Sequence, residues 1–366
     1  MALDYCGKRK TMLNIRIKAG RKAYEFIRDG GFSFNSITAY FAPAAGPRWL
    51  AATGFDLTLL KAGLLGRHKP IRLIGSSSGA WRFAAWVQPE AEKSYQTLID
   101  SYIRMPVRRG DRAKTVMKTL IKVINSYIED DALPFALAHK NYRLAVLTSR
   151  VRHLVASETS WIQSSGLVLC FLMNAMSRSR LNQFMERVVF YNGPKPPSFC
   201  LQKPFRGRYV HLNQANFRHA ILASGAVPVV VAGVRDIYGA PRGIYRDGGL
   251  IDYHQTHDYA ENDGEVTLFF HHQERIVPGW FDKRLKYRKT PDELLDHTLM
   301  IFPTDGFVER LPLGKLPDRK DFKTFVDDPA ARIRNWQETV RLSAPLGEQF
   351  LELVESGKLR QAVERL

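Results

Sequence analysis

Ser77 lies in Gly75-Ser76-Ser77-Ser78-Gly79, a Gly-x-Ser-x-Gly pattern that closes the apolar run Ile71-Arg72-Leu73-Ile74. A serine hydroxyl becomes a nucleophile when a neighbouring base takes its proton, and a sharp strand-to-helix turn lifts it clear of the chain. Glycine at both ends of the pattern permits that turn and lets strand and helix pack closely. The pattern therefore calls for a strand before it and a helix after it. Residues 71–74 and 79–87, the latter stopped by Pro89, supply both; an ordinary Gly/Ser turn is the alternative if the motif is read alone. A matching base is offered by Asp247-Gly248-Gly249, where two glycines after the acid permit a tight turn that presents the carboxylate. A carboxylate buried there, its charged form disfavoured, is a stronger base than one in water. Acyl transfer also needs donors for an oxyanion. Pro43-Ala44-Ala45-Gly46-Pro47-Arg48 is a loop of small residues ahead of a helical stretch at 49–61, where the first amides have no intrahelical partners.

The elements that hold these residues follow from hydrophobic patterning. Residues 19–28 read as a short helix closed by Gly30-Gly31, 37–42 as a strand and 49–61 as a helix, followed by the strand and helix of the Ser77 turn. This is the rhythm of a parallel sheet covered by helices. Residues 91–142 read as helical. Within them Lys114, Lys118 and Lys122 lie opposite Val116, Leu120, Val123, Ile124 and Tyr127, the pattern of a basic amphipathic helix that packs on a core or lies on a lipid surface. Residues 144–148 read as a strand. Residues 149–200 have no clear pattern and are read as a lid or an insertion. Further strands are predicted at 209–212, 266–270 and 298–302, a helix at 213–224, and a hairpin over 236–247 that delivers Asp247. From residue 329 the chain reads as two helices separated at Ser343-Ala344-Pro345.

The small-residue loop at 44–48, Gly-x-Ser-x-Gly at 75–79, and Asp-Gly-Gly at 247–249 after Ala223-Ser224-Gly225-Ala226-Val227-Pro228 together resemble the patatin-like phospholipases. The resemblance spans roughly residues 36–310. It implies an α/β fold with a mostly parallel central sheet covered by helices on both faces, to which the chain adds the extra helices read at the C-terminus. The chain thus divides into a basic N-terminal arm and short helix (1–31), a hydrolase domain (32–310) and a C-terminal helical extension (311–366). The resemblance further implies a catalytic dyad in which Ser77 attacks a lipid ester and Asp247 takes its proton, with no metal or organic cofactor needed. The oxyanion loop departs from the family's Gly-Gly-Gly-x-Arg-Gly. Gly46 and Arg48 fall on matching positions, Ala45 and Gly46 keep amides to donate, and the amide of Ser78 is the other expected donor. Pro47 has no amide and Trp49 is far bulkier than glycine.

Two other readings remain open on sequence alone. His254, His257, His271 and His272 follow Asp247, so an α/β-hydrolase Ser-Asp-His triad fits the order. A non-catalytic, membrane-lipid-binding protein that keeps the fold is the second. The chain has 366 residues, 45% of them hydrophobic, enough for a large core, and its formal net charge of +18 favours polyanions. No zinc-finger, RNA-binding or basic-zipper signature accompanies that charge, so an anionic membrane surface, met through the basic arm and the basic amphipathic helix, is the expected partner beside the acyl-ester substrate. Three cysteines without Cys-x-x-Cys spacing, no secretory pattern and no apolar run of membrane-spanning length lead to the expectation of a cytoplasmic protein with peripheral membrane association.

Overall fold

In the computed structural model, residues 13–201, 205 and 207–366 are described. The first half of the chain alternates strand and helix: β1 (Ile15–Ala19), α1 (Arg21–Arg28), β2 (Ile37–Ala42), α2 (Thr53–Ala62), β3 (Ile71–Ser76), α3 (Ser78–Trp86), α4 (Ala91–Ile103), α5 (Ala113–Tyr127), α6 (Leu133–Leu137) and β4 (Tyr142–Val151). The second half is α7 (Ser160–Met176), β5 (Met185–Tyr191), β6 (Arg208–His211), α8 (Phe217–Ser224), β7 (Val234–Arg235), β8 (Ile244–Asp247), β9 (Val266–Phe270) and β10 (Thr298–Pro303). It closes with α9 (Asp305–Glu309), α10 (Asp321–Thr324), α11 (Pro329–Leu342), α12 (Ala344–Glu355), α13 (Leu359–Ala362) and β11 (Val363–Arg365).

The strands form one mixed sheet in the order β11-β1-β10-β9-β2-β3-β4-β5-β6, with β8 also pairing with β4, and β7 with β8. Its centre, β10-β9-β2-β3-β4, is parallel throughout. β9 (Val-Thr-Leu-Phe-Phe) and β10 are buried at every residue, as expected of strands covered on both faces. Neighbouring residues point to opposite faces: Tyr40 joins the large core beneath α2, α3 and α4, while Ala39 and Phe41 join a smaller core with Phe199 and Tyr259.

The ends of the chain depart from the sequence reading. The expected helix over 19–28 starts only at Arg21, and residues 15–19 form a strand, antiparallel to β10 and parallel to β11. Ile15, Ile17 and Ala19 point inward while Arg16 and Lys18 point outward onto Glu274 and Glu364, so the basic arm hid a period-2 strand. Lys8, Arg9 and Lys10, the rest of that arm, lie outside the described residues. The C-terminal extension is likewise built into the domain. Ser343 Oγ accepts from the Gly54 amide at 2.9 Å, and β11 completes the sheet edge. Within residues 149–200, read from sequence as a lid or an insertion, β5 pairs antiparallel with β4.

Candidate active site

β3 ends at Ser76 and α3 starts at Ser78, leaving Ser77 between them at φ 54°, ψ −123°. A non-glycine residue at positive φ is strained and persists only where its surroundings hold it. Here a Cβ on Gly75 would stand 2.5 Å from the Ala80 backbone, and one on Gly79 would stand 2.1 Å from the Ala42 carbonyl oxygen. The two glycines thus let α3 close down on β2 and β3. The Ser77 amide donates to Ser224 Oγ (2.9 Å), and that hydroxyl donates onward to the Leu147 carbonyl (2.7 Å). One turn into α3, Arg82 grips Asp56 with two bonds of 2.7 Å, and the hydroxyls of Tyr40 and Tyr95 complete the carboxylate's partners. The helix that carries the serine is therefore anchored by a buried, fully bonded ion pair.

Asp247 ends β8, whose antiparallel register with β4 sets Asp247 opposite Thr148. Ser77 Oγ donates to Asp247 Oδ2 at 2.8 Å, and the Gly249 amide donates to Oδ1 at 2.7 Å. Gly248 packs where a Cβ would meet the Leu147 carbonyl at 2.2 Å, which explains the glycine next to the acid. Burial raises the Asp247 pKa, against the opposing pull of Arg319, the Ser77 and Gly249 bonds and Lys283. The structure thus brings together two residues 170 positions apart as a hydroxyl and a buried, basic carboxylate.

The small-residue loop at 44–48 is divided in a way the sequence did not show. The Ala45 amide is occupied, donating to Ser78 Oγ at 3.2 Å. The Gly46 amide, with φ at 56°, and the Ser78 amide at the head of α3 carry no hydrogen bond among the described residues. Of the expected donors, Gly46 and Ser78 are the free ones, and both line the same cavity as Ser77. Trp49 is buried, edge-on to Tyr95 and Tyr102. Arg48 is half-buried on the side of Tyr253 and His254; burial, then the His271 and His272 rings, and last Lys283 and Arg48, depress the pKa of that histidine.

No protein-family model matches the chain, and no curated protein matches it.

The histidines after Asp247 are engaged elsewhere. His257 sits 3.7 Å from Asp252. His254, His271 and His272 are buried together, with one nitrogen from each ring within 4.8 Å of the others. That spacing suits a cation, but the hydrogen bonds oppose it. The Val277 amide donates to His254 Nδ1 (2.8 Å), so the proton of the neutral ring is on Nε2, directed at His271 Nε2 (3.2 Å). Nε2 then has no lone pair for a metal. Asp247 meets the serine directly, in the place where a triad would put an imidazole.

Beside the dyad lies a cavity of about 690 Å³. Trp81, Tyr102, Val116, Leu120, Val227 and Phe322 give it apolar walls. Two of these residues come from α5; Val123, Ile124 and Tyr127 on the same face are buried, while Ile121 and the lysines are exposed. The apolar face of the basic amphipathic helix is therefore already covered. The C-terminal segment supplies a wall through Arg319, Phe322, Lys323 and Val326. Arg319 Nε lies 3.2 Å from where a Cβ on Gly46 would stand. Lys283 stands 3.9 Å over the Tyr253 ring, and burial, followed by Arg319 and Arg48, lowers its pKa to about 7. Arg48, Lys283 and Arg319 have no carboxylate ion-paired to them among the described residues. Ser224, Lys283 and Arg319 were not singled out from sequence. Only Ser224 had a signal, its place in Ala-Ser-Gly-Ala-Val-Pro.

Proposed function

We propose that the protein is a serine acyl hydrolase of patatin-like type, acting on fatty-acyl esters of anionic lipids through Ser77 and Asp247. The 2.8 Å bond from Ser77 Oγ, which lines a largely apolar cavity, to a buried carboxylate carries this reading. Asp247 takes the hydroxyl proton as Oγ bonds to the ester carbon, and the resulting oxyanion is met by the Gly46 and Ser78 amides. Collapse breaks the ester C–O bond, Asp247 returns its proton to the leaving alkoxide, and the acyl group stays on Ser77. Water then gives Asp247 a proton while attacking the acyl carbon, and Ser77 leaves with that proton restored. The apolar walls suit the acyl chain. The unpaired charges of Arg48, Lys283 and Arg319 suit a phosphate close to the ester, which favours phospholipids over neutral glycerides.

The test is fatty-acid release from phosphatidylglycerol in mixed micelles. The wild type is expected to release fatty acid, Ser77→Ala to release none, and triacylglycerol to be the poorer substrate. Activity unchanged in Ser77→Ala would refute the assignment.

A further inference from the structure

α7 has an arrangement opposite to that of a helix folded only for water. Its 17 residues, Ser-Trp-Ile-Gln-Ser-Ser-Gly-Leu-Val-Leu-Cys-Phe-Leu-Met-Asn-Ala-Met, include no charged side chain. Its buried positions are Gln163, Gly166, Cys170 and Asn174. The exposed ones include Trp161 (72% exposed), Val168 (60%), Leu172 (52%) and Met176 (64%), a single stripe at helical spacing. A surface helix normally buries the apolar stripe and shows the polar one.

Rotation cannot hide this stripe, because the polar side is tied down along its length. Gln163 donates to the Val155 and Ser157 carbonyls and accepts from the Val229 amide. Asn174 donates to buried Asp282 at 2.7 Å. Gly166 packs so closely that a Cβ would stand 2.7 Å from the Leu154 side chain.

We propose that α7 is a docking face for an anionic lipid bilayer, with the Trp161–Met176 stripe lying in the boundary between headgroups and acyl chains. Charge decides for lipid over a second copy or another protein. The segment at 284–289 adjoins the C-terminal end of the helix, with Tyr287 Oη donating to the Ala175 carbonyl and Arg288 to that of Asn174. Arg180, Arg284, Lys286 and Lys289 are exposed there and have no ion-pair partner among the described residues. Apolar residues flanked by unpaired cations and by exposed Trp161 and Tyr287 match an anionic interface, where aromatic rings settle at headgroup level. At the other end, the bond from Val229 to Gln163 joins α7 to the Val229-Val230 rim, half-exposed residues that also line the cavity reaching Ser77. Docking by α7 would therefore bring the cavity against the bilayer, a consequence that rests on the acyl-hydrolase reading. The docking itself does not.

The experiment is co-sedimentation of the Ser77→Ala chain with phosphatidylglycerol/phosphatidylcholine vesicles and with pure phosphatidylcholine vesicles, compared with a Val168→Ser/Leu172→Ser variant in the same background. The expected result is binding to the anionic vesicles that weakens as salt is raised, and roughly tenfold weaker partitioning of the variant. The variant's melting temperature should be unchanged or higher, because the replaced side chains face water. Equal partitioning of variant and parent would overturn the proposal. So would concentration-dependent dimerisation, abolished in the variant, without vesicle binding, since a second copy would then cover the stripe. In a Ser77 background, turnover of a water-soluble ester separates the two readings: the α7 variant keeps it if α7 only docks, and its absence from the wild type would count against the hydrolase reading alone.

Discussion

Asp247 and Asp252 sit five residues apart in one segment, both buried, and the fold gives them opposite characters. Asp252 receives two 2.7 Å bonds from Arg187 and one from Thr256. Burial would raise its pKa, but Arg187 and His257 more than offset this and hold it well below the usual carboxylate range. Asp247 has one backbone amide and the serine hydroxyl, with its nearest cations acting from a distance, and burial keeps its pKa raised. A buried acid is left able to accept a proton when no arginine is bonded to it. One carboxylate holds the structure, and its neighbour is left available for chemistry.

The contrast is broken most severely at the dyad. Ser77→Ala and Asp247→Asn are each expected to lower kcat on a soluble ester by roughly four orders of magnitude, with melting temperatures near wild type. Asp252→Asn should do the reverse. It leaves Arg187 buried without its counter-ion and should cost about 3–5 kcal/mol in denaturant unfolding, while kcat of the folded protein changes little. A large loss of kcat in folded Asp252→Asn would show that the two acids do not divide the work as described.

Lys283 sharpens the comparison through pH. With its pKa near 7, it loses its charge as pH rises through neutrality, so kcat/KM on an anionic lipid should fall on the alkaline side. Lys283→Gln should abolish that limb and lower kcat/KM about tenfold at pH 6, while leaving a neutral soluble ester little affected.

Acid stability extends the comparison to the buried histidines. His254, His271 and His272 are kept neutral by burial, with His271 reduced to about 3. Below their unfolded pKa of about 6.5 the unfolded chain binds protons that the native state refuses, so stability falls as pH drops from 6.5. Asp252 acts in the same direction at lower pH. Its contribution is complete above the unfolded carboxyl pKa and is lost as the pH falls through the native value. Melting temperatures between pH 7 and pH 4 should therefore fall steadily, and a flat profile would contradict the buried neutral cluster.

Legibility in the sequence followed the range of the interactions. The elbow was readable because its chemistry is local: the glycines that permit the turn lie within two residues of the serine they present. The parallel centre was readable because β2, β3, β9 and β10 are apolar runs. Asp247 could be placed only through the order of motifs, since nothing near it in the sequence says that a serine 170 positions away will meet it. β1 and β11 escaped because they are short, and β1 is basic on its outer side. Lys283 and Arg319 looked like ordinary surface charges and become part of the site only when Lys283 packs over the Tyr253 ring and the segment at 319–326 lines the cavity. α7 was unreadable because it is apolar nearly all round: Leu167, Phe171 and Met173 pack inward beside the bonded Gln163 and Asn174, while Trp161, Val168, Leu172 and Met176 face outward.

The central claim is that Ser77 is a nucleophile activated by Asp247 alone. Its most direct test is the intact mass of the protein after reaction with a fluorophosphonate, comparing wild type, Ser77→Ala and Asp247→Asn. A single adduct on the wild type, none on Ser77→Ala and much slower labelling of Asp247→Asn is the predicted result. Wild-type labelling that persists in Asp247→Asn at an unchanged rate, or no labelling of folded wild type at all, would contradict it.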